Sequence, residues 1–128
     1  MKILGIGIDI VENSRIHKLL KNKLFIKRIF SYSEILIAKK IKDKKSYYSK
    51  RFAAKEAFAK ALGTGFRDGL NFKDIEVVND KLGKPYFVVS SKIKNLIKKK
   101  KKIKNFNLFL SISDEKEYSI AFTIIQAT

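Results

Sequence analysis

Apolar residues crowd both faces of the first stretch of the chain. Residues 2–10 read as a buried strand, with Leu4, Ile6, Ile8 and Ile10 along one face and Ile3, Gly5, Gly7 and Asp9 along the other. The two glycines clear space on the face that carries Asp9, and a carboxylate at the end of an apolar strand is costly to bury without a partner. Asn13 and Ser14 are candidate N-caps for a helix carrying Ile16, Leu19 and Leu20, and Leu24, Phe25, Ile29 and Phe30 continue the apolar pattern. Ser31 and Glu34 have capping-box spacing and predict a helix over about 32–42, followed by a polar loop at 42–46.

The strongest element is a helix over about 47–62. Wound at 3.6 residues per turn, its Ala, Phe and Leu residues surround most of the axis, which predicts burial. Gly63 supplies the stop, and Gly63-Thr64-Gly65 begins a turn that runs through Gly69. The pattern then becomes extended. Residues 75–78 and 86–89 read as strands around a turn at 79–85, residues 91–104 as a short lysine-rich helix or loop, and residues 106–113 and 118–125 as a closing hairpin. The expected class is α+β: an N-terminal strand, a helical middle and a largely antiparallel C-terminal sheet. No linker or repeat divides the chain, so residues 1–128 are expected to form one domain.

Hydrophobic residues make up 45% of the 128, enough for a core, but a chain this short has little room for both a core and an enclosed cleft. A site shared between subunits is compatible with that size. The absence of cysteine excludes disulfides, thiolate metal sites and a cysteine nucleophile. Asp9 and Glu12 interrupt the N-terminal apolar run before it reaches signal-peptide length, and no stretch is long enough to span a membrane. The expectation is a soluble, cytoplasmic protein. The formal charge of +17 fits either solvated lysines in a Lys- and Ile-rich composition or a surface for an anionic partner.

Three side chains invite chemistry. Glu56 and Lys60 lie one turn apart on the enclosed helix, as an ion pair or as working groups, and Asp9 is a second enclosed carboxylate. Two carboxylates suit magnesium, which takes few protein oxygens and completes its shell with water and phosphate. His17, the single histidine, lies on a basic helix without a catalytic partner in view. Arg15, Lys18, Lys21, Lys23, Lys27 and Arg28, interleaved with Leu20, Leu24 and Phe25, are either a solvated face or a dock for an acidic helix. Lys98–Lys102 lacks that interleaving and reads as a solvated run. A nucleic-acid-binding module would explain the charge, but it leaves Asp9, Glu56 and the apolar helix without a role.

The segments together resemble the holo-acyl-carrier-protein synthase family of small bacterial phosphopantetheinyl transferases. The resemblance rests on Gly5-Ile6-Gly7-Ile8-Asp9-Ile10-Val11-Glu12, on the block from Arg51 to Gly65, on Gly83-Lys84-Pro85-Tyr86, and on Ser111-Ile112-Ser113 with Glu117-Tyr118-Ser119-Ile120-Ala121. It implies a 4'-phosphopantetheinyl transferase-like fold and transfer of the phosphopantetheine arm of coenzyme A to a serine of acyl carrier protein, in fatty acid biosynthesis. Asp9 and Glu56 would hold Mg2+, and Lys60 would contact the coenzyme A phosphates and act as acid or base. Gly63, Gly65, Lys84 and Pro85 would line the coenzyme A site. Arg15, Lys21, Phe25 and Arg28 would face the acidic helix of acyl carrier protein, in a homotrimer with active sites between subunits. Neither a membrane span nor nucleic acid is expected. Where many relatives carry histidine after Ser-x-Ser, this chain has Asp114, so Lys44, Lys45 or Lys116 would have to compensate near the nucleotide.

Overall fold

A computed structural model describes residues 2–66 and 69–128. Strand β1 (Lys2–Glu12) leads into three short helices, α1 (Asn13–Leu19), α2 (Lys23–Ile29) and α3 (Tyr32–Ala38), and then the long α4 (Lys44–Leu62). A 3-10 turn at Phe72–Asp74 precedes β2 (Ile75–Asn79) and β3 (Pro85–Val89). Helix α5 (Ser91–Lys101) and strands β4 (Phe106–Asp114) and β5 (Tyr118–Ala127) complete the chain. The strands form an antiparallel sheet in the order β1-β5-β4 and a separate β2-β3 hairpin. The α+β class is as expected, and β1 joins the C-terminal hairpin as an edge strand.

Several local details differ from the pattern reading. Asn13 does not cap α1: it is buried, donates to the carbonyls of Glu115 (3.0 Å) and Lys116 (3.1 Å), and accepts from Ser119 Oγ (2.8 Å). It ties the β4–β5 turn to the start of α1. The apolar run after residue 13 breaks into two helices because Asn22 caps the second, accepting from the N–H groups of Leu24 and Phe25. Asp43 caps α4 through Ser46 N at 3.0 Å, so the helix begins inside the expected polar loop. The Ser31–Glu34 capping box forms as predicted, though α3 ends at Ala38.

Helix α4 is buried on nearly all sides, from Tyr47 and Tyr48 through Phe58 to Leu62. One side meets β1 at extremely short range. A Cβ added at Gly7 would stand 1.8 Å from the Ala57 carbonyl oxygen, and one at Gly5 would stand 1.9 Å from that of Ala61. Only glycine permits this approach. Another side carries Lys55, fully buried. Its ammonium donates to Glu34 Oε1 (2.7 Å) and to the carbonyls of Phe72 (2.9 Å) and Ile75 (2.6 Å). Glu34 in turn accepts from the N–H groups of Ser31 (2.9 Å) and Val77 (3.0 Å). Burial pushes the Lys55 ammonium below the usual lysine range, and the Glu34 charge opposes that shift. The network joins α3, α4, the 3-10 turn and β2, with all three ammonium protons used.

Strand β1 is not buried on both faces. Its inner face, Gly5, Gly7, Asp9 and Val11, turns to α4, while Ile6, Ile8 and Ile10 are 56%, 59% and 61% exposed. A register irregularity lies between Ile3 and Gly5, and Leu4 there is partly buried against the core cluster that contains Ile125. Ile6, Ile8 and Ile10 pair with Ile124, Phe122 and Ile120 on β5, and Phe109 pairs with Ile124 from β4. Paired residues share a face, so the outer side of the sheet is apolar along β1 and β5 and is extended to β4 by Phe109, beside the polar Ser111 and Ser113.

Gly7→Ala is expected to lose about 3 kcal/mol or more, the upper end for overpacking, because the obstacle is a backbone carbonyl; urea unfolding measures this. Lys55→Met is expected to cost about 3–5 kcal/mol by stranding the Glu34 charge. Adding Glu34→Gln should recover the larger part, and a double variant as unstable as the single would refute the ionic account.

Candidate active site

The β1–α4 contact decides what lies where. Gly5 stands against Ala61 and Gly7 against Ala57, so the strand runs antiparallel to the helix. A two-residue step on a strand, about 6.6 Å, nearly matches a four-residue step on a helix, about 6 Å. The next inward residue, Asp9, therefore falls beside the turn that carries Glu56. Helical side chains lean toward the N-terminus, which brings Lys60 back to the same level. Its ammonium donates to Asp9 Oδ1 at 3.0 Å and to the Ile8 carbonyl at 3.0 Å. The ion pair that spacing suggested between Glu56 and Lys60 is thus replaced by one across to β1.

Glu56 is half-buried, and among the described residues no hydrogen bond or ion pair holds its carboxylate. Burial raises its pKa, the Asp9 charge raises it further, and Lys60 and Arg15 act in the opposite direction. Two carboxylates thus repel each other across a partly enclosed space beside two cations. Among the described residues no cluster of three or more acidic, histidine or cysteine side chains could hold a metal. Two hard oxygen donors, one lacking a protein partner, fit magnesium whose remaining positions are filled by water and phosphate.

The other expected site residues are placed less uniformly. Gly63 ends α4 with φ 88°, the left-handed cap that glycine favours, and Gly65 follows at φ 61°, one turn beyond Lys60. The part of that turn at residues 67 and 68 lies outside the described residues. The Lys84–Pro85 turn is elsewhere. Asp80 Oδ1 accepts from Lys84 N at 2.9 Å, and Asn79 accepts from the buried Arg51, which stacks on Tyr47. Arg51 and Lys55 point about 140° around α4 from Glu56 and Lys60. A single chain therefore does not bring Lys84 and Pro85 to the carboxylate pair.

Of the basic segment, Arg15 lies within electrostatic reach of Glu56. Lys21 lines a cleft with His17, Leu20 and Lys42–Lys45, and Arg28 lines another with Leu24, Lys27 and Asn71. Phe25 is half-buried, packing on Phe30 and Phe52 with part of its surface still exposed, and the most exposed apolar side chain among these charges is Leu24, at 74%. Asp114 Oδ2 accepts from Ser46 Oγ at 3.2 Å, at the start of α4. Lys45 and Lys116 share a cleft with Ser14 and Tyr118. Pattern reading missed the Lys55–Glu34 pair. A lysine inside a helix apolar all round was its available signal, since such a charge needs a buried partner.

A strand-borne and a helix-borne carboxylate thus meet a lysine beside the glycine turn that ends the helix. The chain belongs to the 4'-phosphopantetheinyl transferase superfamily, whose family model matches residues 5–123. Within it, the chain's place is in the holo-[acyl-carrier-protein] synthase family. It is 74% identical over 126 residues to the holo-[acyl-carrier-protein] synthase of Pelagibacter ubique, covering 98% of both chains. The crystal structure of holo-[acyl-carrier-protein] synthase from Neisseria meningitidis superposes with a TM-score of 0.88 at 38% identity, covering 98% of this chain and 99% of that one. The Bacillus anthracis synthase in complex with CoA (3',5'-ADP) superposes with a TM-score of 0.83 at 38% identity, covering 98% of each.

Proposed function

We propose that this enzyme transfers the 4'-phosphopantetheine arm of coenzyme A to a serine of apo acyl carrier protein, yielding holo-acyl carrier protein and adenosine 3',5'-bisphosphate. The observation that carries the reading is the meeting of Asp9, Glu56 and Lys60 on the β1–α4 seam, in a chain matched over nearly its whole length by holo-[acyl-carrier-protein] synthases. The CoA named in the Bacillus anthracis complex supports the donor. Asp9 and Glu56 would hold Mg2+, which when bound neutralises diphosphate charge and polarises the phosphorus under attack. The carrier serine Oγ attacks the β-phosphorus while the bond to the bridging oxygen of the adenosine half breaks, so the leaving group departs as the bisphosphate. Lys60, the exposed member of its pair with Asp9, would balance charge on that leaving oxygen or donate a proton to it. The Gly63 N–H is taken up by the Ala59 carbonyl at 3.0 Å, so in that turn the N–H groups of Thr64 and Gly65 would be the ones to meet phosphate.

Arg15, Lys21 and Arg28 would form a basic rim around the half-buried Phe25 and the exposed Leu24, suited to an acidic carrier helix. A homotrimer with sites between subunits fits two features of the chain. The outer sheet face is apolar and exposed, and the Lys84–Pro85 turn stands away from the carboxylates of its own chain. A neighbouring copy could cover the first and supply the second. One domain would carry the whole activity, in the cytoplasm, in support of fatty acid biosynthesis. Among the described residues no helix is long and apolar enough to cross a membrane.

Mixing the protein with apo acyl carrier protein, coenzyme A and Mg2+ should add one phosphopantetheine to the carrier by intact-protein mass spectrometry. Glu56→Gln should lower that rate about 10²-fold or more while leaving the circular dichroism and the unfolding midpoint near the parent's; full activity would remove Glu56 from the site. Ile8→Lys, on the outer sheet face, should shift the protein toward monomer in sedimentation or light scattering and lower activity in proportion, whereas an unchanged mass with full activity would count against a shared site.

A further inference from the structure

Lys60 is bound to the wrong partner for a lysine whose one task is to meet phosphate. Its ammonium contacts the carboxylate oxygen Asp9 Oδ1, and a second contact, to the Ile8 carbonyl, fixes it against β1 rather than along its own helix. The Asp9 side chain is 15% exposed and that of Lys60 is 55% exposed, so the carboxylate is recessed and the ammonium sits over it on the solvent side. An exposed helix pair would be worth little. This pair differs because the oxygen it occupies belongs to the recessed member of the carboxylate pair.

We propose that Lys60 is an exchangeable counter-ion that guards Asp9 and is drawn off by the diphosphate, so that cation binding and coenzyme A binding reinforce each other. The proposal rests on the reading of Asp9 and Glu56 as the cation site. Two positive charges at contact distance from Asp9 Oδ1 repel each other, so the ammonium and a divalent cation compete for that oxygen. Lys60 has a flexible four-carbon stem, it is more than half exposed, and it lies one turn before the Gly63 cap, so it can leave Asp9 without disturbing α4. A phosphate oxygen gives it a stronger acceptor than a backbone carbonyl. Coenzyme A would then raise cation affinity in two ways, by its own phosphate oxygens and by removing Lys60 from Asp9. By thermodynamic linkage the cation would raise coenzyme A affinity by the same factor.

Mn2+ binding followed by electron paramagnetic resonance at fixed pH separates these effects, using the parent, Lys60→Met and Asp9→Asn, each with folding checked by circular dichroism. In the absence of coenzyme A, Lys60→Met should bind Mn2+ about five-fold more tightly or better, since removing an exposed cation from contact is of that order. The gain in Mn2+ affinity on adding coenzyme A should be smaller in Lys60→Met than in the parent. Equal or weaker Mn2+ binding by Lys60→Met, with Asp9→Asn abolishing binding, would overturn the counter-ion role while leaving the cation site intact. Mn2+ binding untouched by Asp9→Asn would overturn both the role and the site on which it rests.

Discussion

Everything in this molecule is arranged around the closeness of β1 to α4. Glycines on the strand and alanines on the helix remove the side chains that would normally separate two such elements. The gain is registration. A strand two residues on and a helix four residues back advance by nearly the same distance, so the contact repeats from Gly5–Ala61 to Gly7–Ala57 and places Asp9 at the turn of Glu56. A bulky residue at either glycine would lift the strand and carry Asp9 away from the helix. Packing and chemistry are thus one constraint, expressed first in carbon contacts and then in charge.

The opposite side of α4 is held by different physics. Lys55 and Glu34 are buried ions, and such pairs seldom repay their desolvation fully. Here the cost is limited because the ammonium has three acceptors and the carboxylate has two backbone donors besides the lysine. The pair also discriminates. Apolar contacts tolerate a helix sliding or turning by a fraction of a residue, whereas five directional bonds do not. Lys55 and Glu56 are consecutive, so fixing the azimuth of one fixes that of the other. A half-buried carboxylate without a protein partner can be kept on the β1 side because its neighbour is locked into the core.

The fold was legible where side-chain period and burial agree. Helix α4 and the β4–β5 hairpin stood out, and the Ser31–Glu34 capping box was readable because its partners lie three residues apart. Glu34 as the partner of Lys55 was not, because the two are 21 residues apart and periodicity carries no information at that range. Asp9 and Glu56 could be named one by one, but their meeting depends on a register between strand and helix that only the glycine–alanine contact reveals. Ile6, Ile8 and Ile10 read as core because an apolar face looks the same whether its own chain covers it or not. Phe25 and Leu24 show the converse: both read as apolar contacts among the basic residues, and only packing against Phe30 and Phe52 tells which of them turns inward.

The remaining exposure of the sheet and the openness of the site have a common origin in size. Helix α4 spends one side on β1 and another on α3 and β2, and the edge of the β1 side that bears Glu56 and Lys60 is left with little of the chain to wall it. A longer protein could fold a further layer over both the sheet and the carboxylates. A protein of 128 residues has another route to the same result, the repetition of itself. Burying the outer isoleucine and phenylalanine face would supply a driving force for association, and any element brought in with it would be delivered to the seam where β1 and α4 gather Asp9, Glu56 and Lys60. On this argument the apolar exposure of β1 and the openness of the seam beside Glu56 have one cause, and a substitution that made the outer face polar would remove the first without covering the second.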